Sequence, residues 1–178
     1  MTNEDRIRMA VEEGFAAAAV IKTEEIPLDA SFRPLCEENL CGKYGVNYSC
    51  PPDCGTPAEM EARVRAHKYA LVLQSICDVD PADGKAVKAA KAVHNAAALR
   101  LMKKLRVEGH DGFVIGSSGC ALCSPCAITE GKPCSFPDLQ YSCMSAFCIY
   151  VKQLAEDCGM EYCCEKGRLA LFGMYVCD

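Results

Sequence analysis

Four cysteines, Cys120, Cys123, Cys126 and Cys134, follow the spacing C-x2-C-x2-C-x7-C. Three thiols two residues apart let one tight loop present three thiolates to a single compact centre. A more distant fourth cysteine completes the set, the device bacterial ferredoxins use. Structural zinc is more often held by two separated C-x2-C pairs, since four tetrahedral ligands are more easily supplied two by two. The spacing therefore favours a [4Fe–4S] cluster on Cys120, Cys123, Cys126 and Cys134, with zinc as the alternative. In the common ferredoxin run a proline follows the last cysteine, whereas here Lys132-Pro133 precedes Cys134.

A second group lies upstream, where Cys36, Cys41, Cys50 and Cys54 are spaced C-x4-C-x8-C-x3-C among Gly42, Gly45, Pro51, Pro52 and Gly55. Such a stretch reads as loop, and loops that fold around metals need these permissive and rigid residues. It is expected to hold a second metal centre, although two of its thiols could simply be buried. Cys143, Cys148, Cys158, Cys163, Cys164 and Cys177 show no standard ligand spacing and read mostly as buried thiols. One or two of them could complete a site begun upstream. The adjacent Cys163 and Cys164 would face opposite sides of a strand. Cys77 lies in an apolar strand-like run.

With 15 cysteines in 178 residues, a disulfide framework also has to be weighed. That device belongs to small secreted domains with too little core. Here 51% of residues are hydrophobic and the cysteine count is odd. The first residues carry no basic-then-apolar leader pattern, so a cytoplasmic location is expected. No C-x3-C-x2-C, C-x2-C-H or G-x4-G-K-[ST] motif occurs, which argues against radical S-adenosylmethionine chemistry, c-type haem and a phosphate loop. The longest apolar run, Phe15 to Ile21, has seven residues and is far too short to span a bilayer. A net charge of −5, from 19 basic and 24 acidic residues, speaks against nucleic acid as a partner. His67, His94 and His110 are scattered and read as surface or capping residues.

The elements that must position these thiols are set by local pattern. Thr2 with Asp5 reads as a capping box opening a helix to about Glu13, with Ile7, Ala10 and Val11 turned inward and Gly14 as its stop. Phe15–Ile21 reads as a strand. Thr56-Pro57-Ala58-Glu59 starts a second helix, to about Ala66. Tyr69–Cys77 is a strand, and Asp83 caps a helix over Lys85–Arg106 with Ala90, Val93, Ala97, Leu101 and Leu105 at helical spacing. Phe113–Ser118 completes a strand–helix–strand unit, expected to be a parallel crossover. Its C-terminal end opens through Gly116-Ser117-Ser118-Gly119 into the triple-cysteine loop, and strand ends of this kind are where α/β folds build sites. A helix over Met144–Asp157 and a hairpin of Met160–Cys164 with Leu169–Cys177 are expected further along the chain. The class is α/β (or α+β), a small mixed sheet flanked by helices, with residues 1–178 forming a single cysteine-rich metal-binding domain.

Helix Lys85–Arg106 carries Lys85, Lys88, Lys91, Arg100, Lys103, Lys104 and Arg106 and no acidic residue. It reads either as a solvated face or as the docking patch for an acidic redox partner protein.

Two stretches resemble a family of small cysteine-rich predicted metal-binding proteins of anaerobic bacteria and archaea, a domain of unknown function. They are Cys41-Gly-Lys-Tyr-Gly-Val-Asn-Tyr-Ser-Cys-Pro-Pro with Gly55-Thr-Pro-Ala-Glu-Met, and Gly119-Cys-Ala-Leu-Cys-Ser-Pro-Cys-Ala through Gly131-Lys-Pro-Cys to Pro137-Asp-Leu. The resemblance implies metal binding through Cys36, Cys41 and Cys50 upstream and Cys120, Cys123, Cys126 and Cys134 downstream, with Cys54 at a variable position. After Leu139, a Pro-Ser-Met-Glu-Ala-x-Gly pattern is replaced by Ser142 to Cys148, placing Cys143 and Cys148 as local additions. Residues and resemblance together lead to an iron–sulfur protein working in electron transfer or redox chemistry. If Cys54 is not a ligand, the upstream centre has three thiolates and one open position. A zinc module with structural cysteines and a metal or cluster delivery protein are the alternatives.

Overall fold

The computed structural model describes residues 1–165 and 167–178. Helix α1 (Asn3–Glu12) starts where the Thr2 hydroxyl accepts the Asp5 amide and the Asp5 carboxylate accepts the Thr2 amide. Strand β1 (Ala17–Lys22) comes after Gly14, whose φ of +100° lets the chain reverse out of the helix. A long turn-rich segment contains only the short α2 (Arg33–Glu37) as α-helix. A capping box between Thr56 and Glu59, with Pro57 at the first position, opens α3 (Pro57–Arg65). Strand β2 (Tyr69–Cys77) leads through the Asp83 cap into α4 (Gly84–Val107), and β3 (Gly112–Gly116) comes next. The two-residue β4 (Ser142–Cys143), α5 (Val151–Asp157) and β5 (Leu169–Cys177) complete the chain.

The sheet order is β1-β2-β5-β3-β4. β5 runs antiparallel to β2 on one side and to β3 on the other, and β3 pairs in parallel with β4. β2 and β3 therefore point the same way, and β2-α4-β3 is the expected parallel crossover, with β5 between its two strands. Strand alternation divides the core between two faces. Ala70, Val72, Phe113, Ile115, Phe172, Met174 and Val176 pack against Met60 and Val64 of α3 and Leu154 of α5. On the other face Leu71, Leu73, Val114 and Tyr175 meet Ala10 of α1 and Ala97, Leu101 and Leu105 of α4. The result is a mixed five-stranded sheet flanked by helices. Among the described residues no helix is long and apolar enough to cross a membrane.

Several local expectations are corrected. On α1 Ala10 and Ile7 face the core as expected and Arg6 is buried beside them, its guanidinium 5.6 Å from the Tyr69 ring centroid, while Val11 is exposed. On α4 the buried stripe begins at His94, and Val93 is exposed. The expected helix Met144–Asp157 starts only at Val151, because backbone groups before it are committed elsewhere: the Ala146 amide donates to Cys143 Sγ and its carbonyl accepts from Arg33. The expected hairpin does not form. Both edges of β5 are taken by β2 and β3, so Met160–Cys164 finds no strand to pair with. Its proposed turn at Lys166-Gly167 includes Lys166, which lies outside the described residues.

His94 is buried against the Phe15 ring, with Ser75 Oγ 2.8 Å from its Nδ1. A side chain at Gly173 would place a Cβ 2.7 Å from His94 Nε2 and 2.9 Å from the Ile115 carbonyl oxygen, so only glycine fits there.

Candidate metal centre

β3 ends at Gly116, and Asn95 of α4 holds the two residues after it. The Asn95 Oδ1 accepts the Ser117 amide at 2.9 Å and its Nδ2 donates to Ser118 Oγ at 2.9 Å. The chain then enters the triple-cysteine loop from a fixed point. Burial pushes the Cys120 thiol up, against amides of Leu122 and Tyr141 that favour its thiolate, and Cys123 and Cys134 act on it as neighbouring thiols. Burial pushes Cys126 in the same direction. There the amides of Ile128, Tyr48 and Ala127, with a hydrogen bond from Cys123, outweigh it and hold the thiol below its usual value. The four downstream cysteines thus share one loop neighbourhood at the end of β3.

The upstream loop is a chain of tight turns, with left-handed backbone at Asn39, Gly42 and Gly45. Burial raises Cys50 to about 12, with Cys143, Cys41 and Cys54 adding to the shift and Ser49 opposing it. Cys54 rises to about 11, first through burial and then through Cys143 and Cys36, with Arg33 opposing. Burial also raises Cys36, with the neighbouring thiols of Cys143, Cys148 and Cys41 adding to the shift and Arg33 opposing it. Cys143 recurs in all three environments. It sits on β4 opposite Gly116, and both it and Cys54 pack against the same side of the core. The sequence offered Cys143 only as one of several thiols able to complete a site.

The two groups abut. The Cys120 amide donates to Ser49 Oγ at 2.9 Å, and Asn47 Nδ2 donates to the Cys120 carbonyl at 2.9 Å. Tyr48 donates its hydroxyl to the Lys132 carbonyl at 2.7 Å. A Cβ on Gly119 would stand 3.0 Å from Cys50 Sγ. A cleft of about 180 Å³ separates the groups elsewhere, lined by Tyr48, Asp53, Cys54, Arg63 and Cys134 among others. As they stand, no three His, Cys, Asp or Glu side chains among the described residues are close enough to hold a metal ion. The sulfurs share neighbourhoods, and ligation would have to draw them together. Cys164 adds to the upward shift of Cys77 at the end of β2, and Cys158 caps the C-terminus of α5 and packs against the core.

A model of the family of predicted metal-binding proteins (DUF2284) matches residues 19–176. The chain belongs to this family. No curated protein and no solved structure matches it. The family's description leaves the metal unspecified, and Arg33 supplies a physical reason to expect an anionic centre in this member. Arg33 is 8% exposed; its guanidinium donates to the Gly55 and Ala146 carbonyls at 2.8 and 2.9 Å and contacts Met60 Sδ at 3.3 Å, while its Nε is buried without a partner. None of these partners is a carboxylate. A buried cation lacking a counter-charge is costly, and the groups around it able to carry negative charge are the upstream thiols. A thiolate-bound metal centre fits this donor set. Cys148 has a φ of 56°, a conformation that glycine adopts freely.

Proposed function

We propose that this chain is an electron-transfer protein with two adjacent thiolate-bound metal centres. The downstream centre is a [4Fe–4S] cluster on Cys120, Cys123, Cys126 and Cys134, and the second draws on Cys36, Cys41, Cys50 and Cys54. An iron–sulfur cluster supplies one-electron transfer when bound. The observation that carries the reading is the seam at which Asn47-Tyr48-Ser49-Cys50 is hydrogen-bonded to Gly119-Cys120. A ligand of one centre and a ligand of the other are joined there through a few bonds, which suits an electron relay. Amides around Cys126 and Cys120 favour thiolates and stabilise negative charge on sulfur, a lever on reduction potential.

Fifteen thiols, all unpaired, suit a reducing compartment, and we place the protein in the cytoplasm. Its partner would be an acidic electron carrier docking on α4. Arg100 and Lys104 are clasped by Glu13 at 2.9 and 2.5 Å, and Arg106 donates to the Asp138 and Gly112 carbonyls. Lys85, Lys88 and Lys91 have no ion-pair partner among the described residues. They lie one to three helical turns before Asn95, towards the sheet end where the triple-cysteine loop opens. Helix polarity disfavours a cation in the first turn, where Lys85 sits.

Oxygen-free purification with iron, zinc and acid-labile sulfide analysis tests the reading. Brown protein that is reduced and reoxidised without losing iron supports it. A colourless zinc protein that chelators unfold would make the cysteines structural, and ready transfer of metal to an acceptor would make the chain a delivery protein.

A further inference from the structure

Two buried polar side chains from outside the triple-cysteine loop take up its backbone and hydroxyl groups. Asn95 on α4 is 1% exposed. Its Oδ1 accepts the Ser117 amide at 2.9 Å and the Ser117 hydroxyl at 3.1 Å, and its Nδ2 donates to Ser118 Oγ at 2.9 Å. Tyr141, 5% exposed and just before β4, accepts the Ala121 amide on its hydroxyl at 3.3 Å. Ala121 lies between Cys120 and Cys123, so the phenol holds backbone inside the first C-x2-C step. The backbone amide of Tyr141 is directed at the Cys120 sulfur, and one residue therefore grips both that cysteine and the amide after it.

Packing alone does not call for these polar atoms. Asn95 shares the buried stripe of α4 with Ala97, Ala98 and Leu101, and Tyr141 belongs to the same apolar cluster as those three and Cys120. Leucine and phenylalanine would fill the two places. A carboxamide or a phenol brought into such a core costs free energy unless its hydrogen bonds are made, and here the bonds of both side chains go to the segment Ser117–Ala121. Gly116 shows where the two converge. A Cβ there would stand 2.8 Å from Asn95 Oδ1 and 2.8 Å from the Tyr141 ring, so no side chain fits at the strand end from which the loop departs.

We propose that Asn95 and Tyr141 are positioning residues of the downstream centre: they fix the loop that presents Cys120 and Cys123, and through it they set that centre's reduction potential. This rests on the iron–sulfur reading of the downstream loop. Neither side chain is a ligand. Their hold keeps the loop amides beside the sulfurs, where a hydrogen-bond donor stabilises the negative charge added on reduction. Freed from it, the loop can turn those amides towards water and the cluster becomes harder to reduce.

Oxygen-free redox titrations of wild type, Tyr141→Phe and Asn95→Leu, followed by the paramagnetic spectrum of the reduced protein, test the proposal. The downstream component is the one that Cys123→Ser lacks. Gln74→Leu is the control, since Gln74 is also buried but donates to the Glu161 carbonyl at 2.7 Å, outside the loop. In Tyr141→Phe and Asn95→Leu the downstream midpoint should move to more negative potential while the upstream one stays. The downstream iron should also be held about tenfold more weakly against a chelator. Gln74→Leu should leave both midpoints in place even where it lowers the urea midpoint. An unmoved downstream midpoint in either variant overturns the assignment of that residue, and an equal shift in Gln74→Leu overturns both by making the effect one of general destabilisation. Tyr141→Phe, which removes a single oxygen, decides even if Asn95→Leu fails to fold. Wild type free of iron and sulfide overturns the iron–sulfur reading itself, a result distinct from unmoved midpoints in iron-loaded variants.

Discussion

Ser49 accepts the amide of Cys120 across 2.9 Å, and both residues are buried. They are 71 positions apart in sequence, and their contact joins two local thiol loops. Gly119 makes the approach possible. A methyl group there would stand 3.0 Å from Cys50 Sγ and 3.2 Å from Ser49 Oγ. Gly119→Ala should therefore push the upstream sulfur away although it neighbours a downstream ligand. The expected outcome is selective loss of upstream metal, read as a fall in iron and one missing spectral component. Equal occupancy of both centres in the variant would show that the seam tolerates displacement.

Arg33 gives a second prediction. Replacing it with Met removes the donors to the Gly55 and Ala146 carbonyls, and hydrogen bonds to charged groups contribute about 1.5–3 kcal/mol each. It also removes a positive charge beside the upstream thiols, which makes the added electron harder to hold. In an anaerobic redox titration, one of two midpoints should move to more negative potential in Arg33→Met while the other stays. Arg33→Lys, which keeps the charge but not the fork, should shift it less. Unmoved midpoints in both variants would separate Arg33 from the centre.

The sequence made the regular elements legible and left the convergence of the site hidden. Thr2–Asp5, Thr56–Glu59 and Asp83 announced three helix starts because their signals lie within four residues, and each cap is present. The triple-cysteine loop at the end of β3 was legible for the same reason. Cys143 was not, because its relation to Cys36, Cys50 and Cys54 depends on β4 pairing with β3 and on Arg33 reaching across 113 positions to Ala146. The helix expected from Met144 onward failed for the same physical reason. Its apolar spacing is real, but its first turn spends backbone groups on a sulfur and a guanidinium. The hairpin failed because pattern cannot tell that β5 already has neighbours on both edges.

His94 should make stability fall in mild acid. Burial holds its pKa at about 4, below the ordinary 6.5, so the folded chain keeps the ring neutral while the unfolded chain protonates it. The stabilisation is complete above the unfolded value and is lost as pH falls from about 6.5 towards 4, amounting to about 3 kcal/mol. Urea midpoints of wild type and His94→Asn across that window measure it. The difference between the two proteins should shrink as pH falls, and a constant difference would mean that His94 titrates normally.

Lys85, Lys88 and Lys91 distinguish a docking face from a merely solvated one. If an acidic carrier approaches α4, converting all three to Glu reverses the local field, and electrostatic steering accounts for roughly 10- to 1,000-fold in association rate at low salt. Reduction by a small acidic ferredoxin should slow by about tenfold or more, and the variant's rate should rise with ionic strength where the wild type's falls. An uncharged mediator should reduce wild type and variant equally, since Lys85 and Lys88 are exposed, Lys91 is half-buried and none of the three contributes a ligand. Because Arg100 and Lys104 stay bound to Glu13, the helix remains anchored and the comparison reports on association alone. Equal rates with the acidic carrier would make the lysines a solvated face and send the search for the partner to another surface.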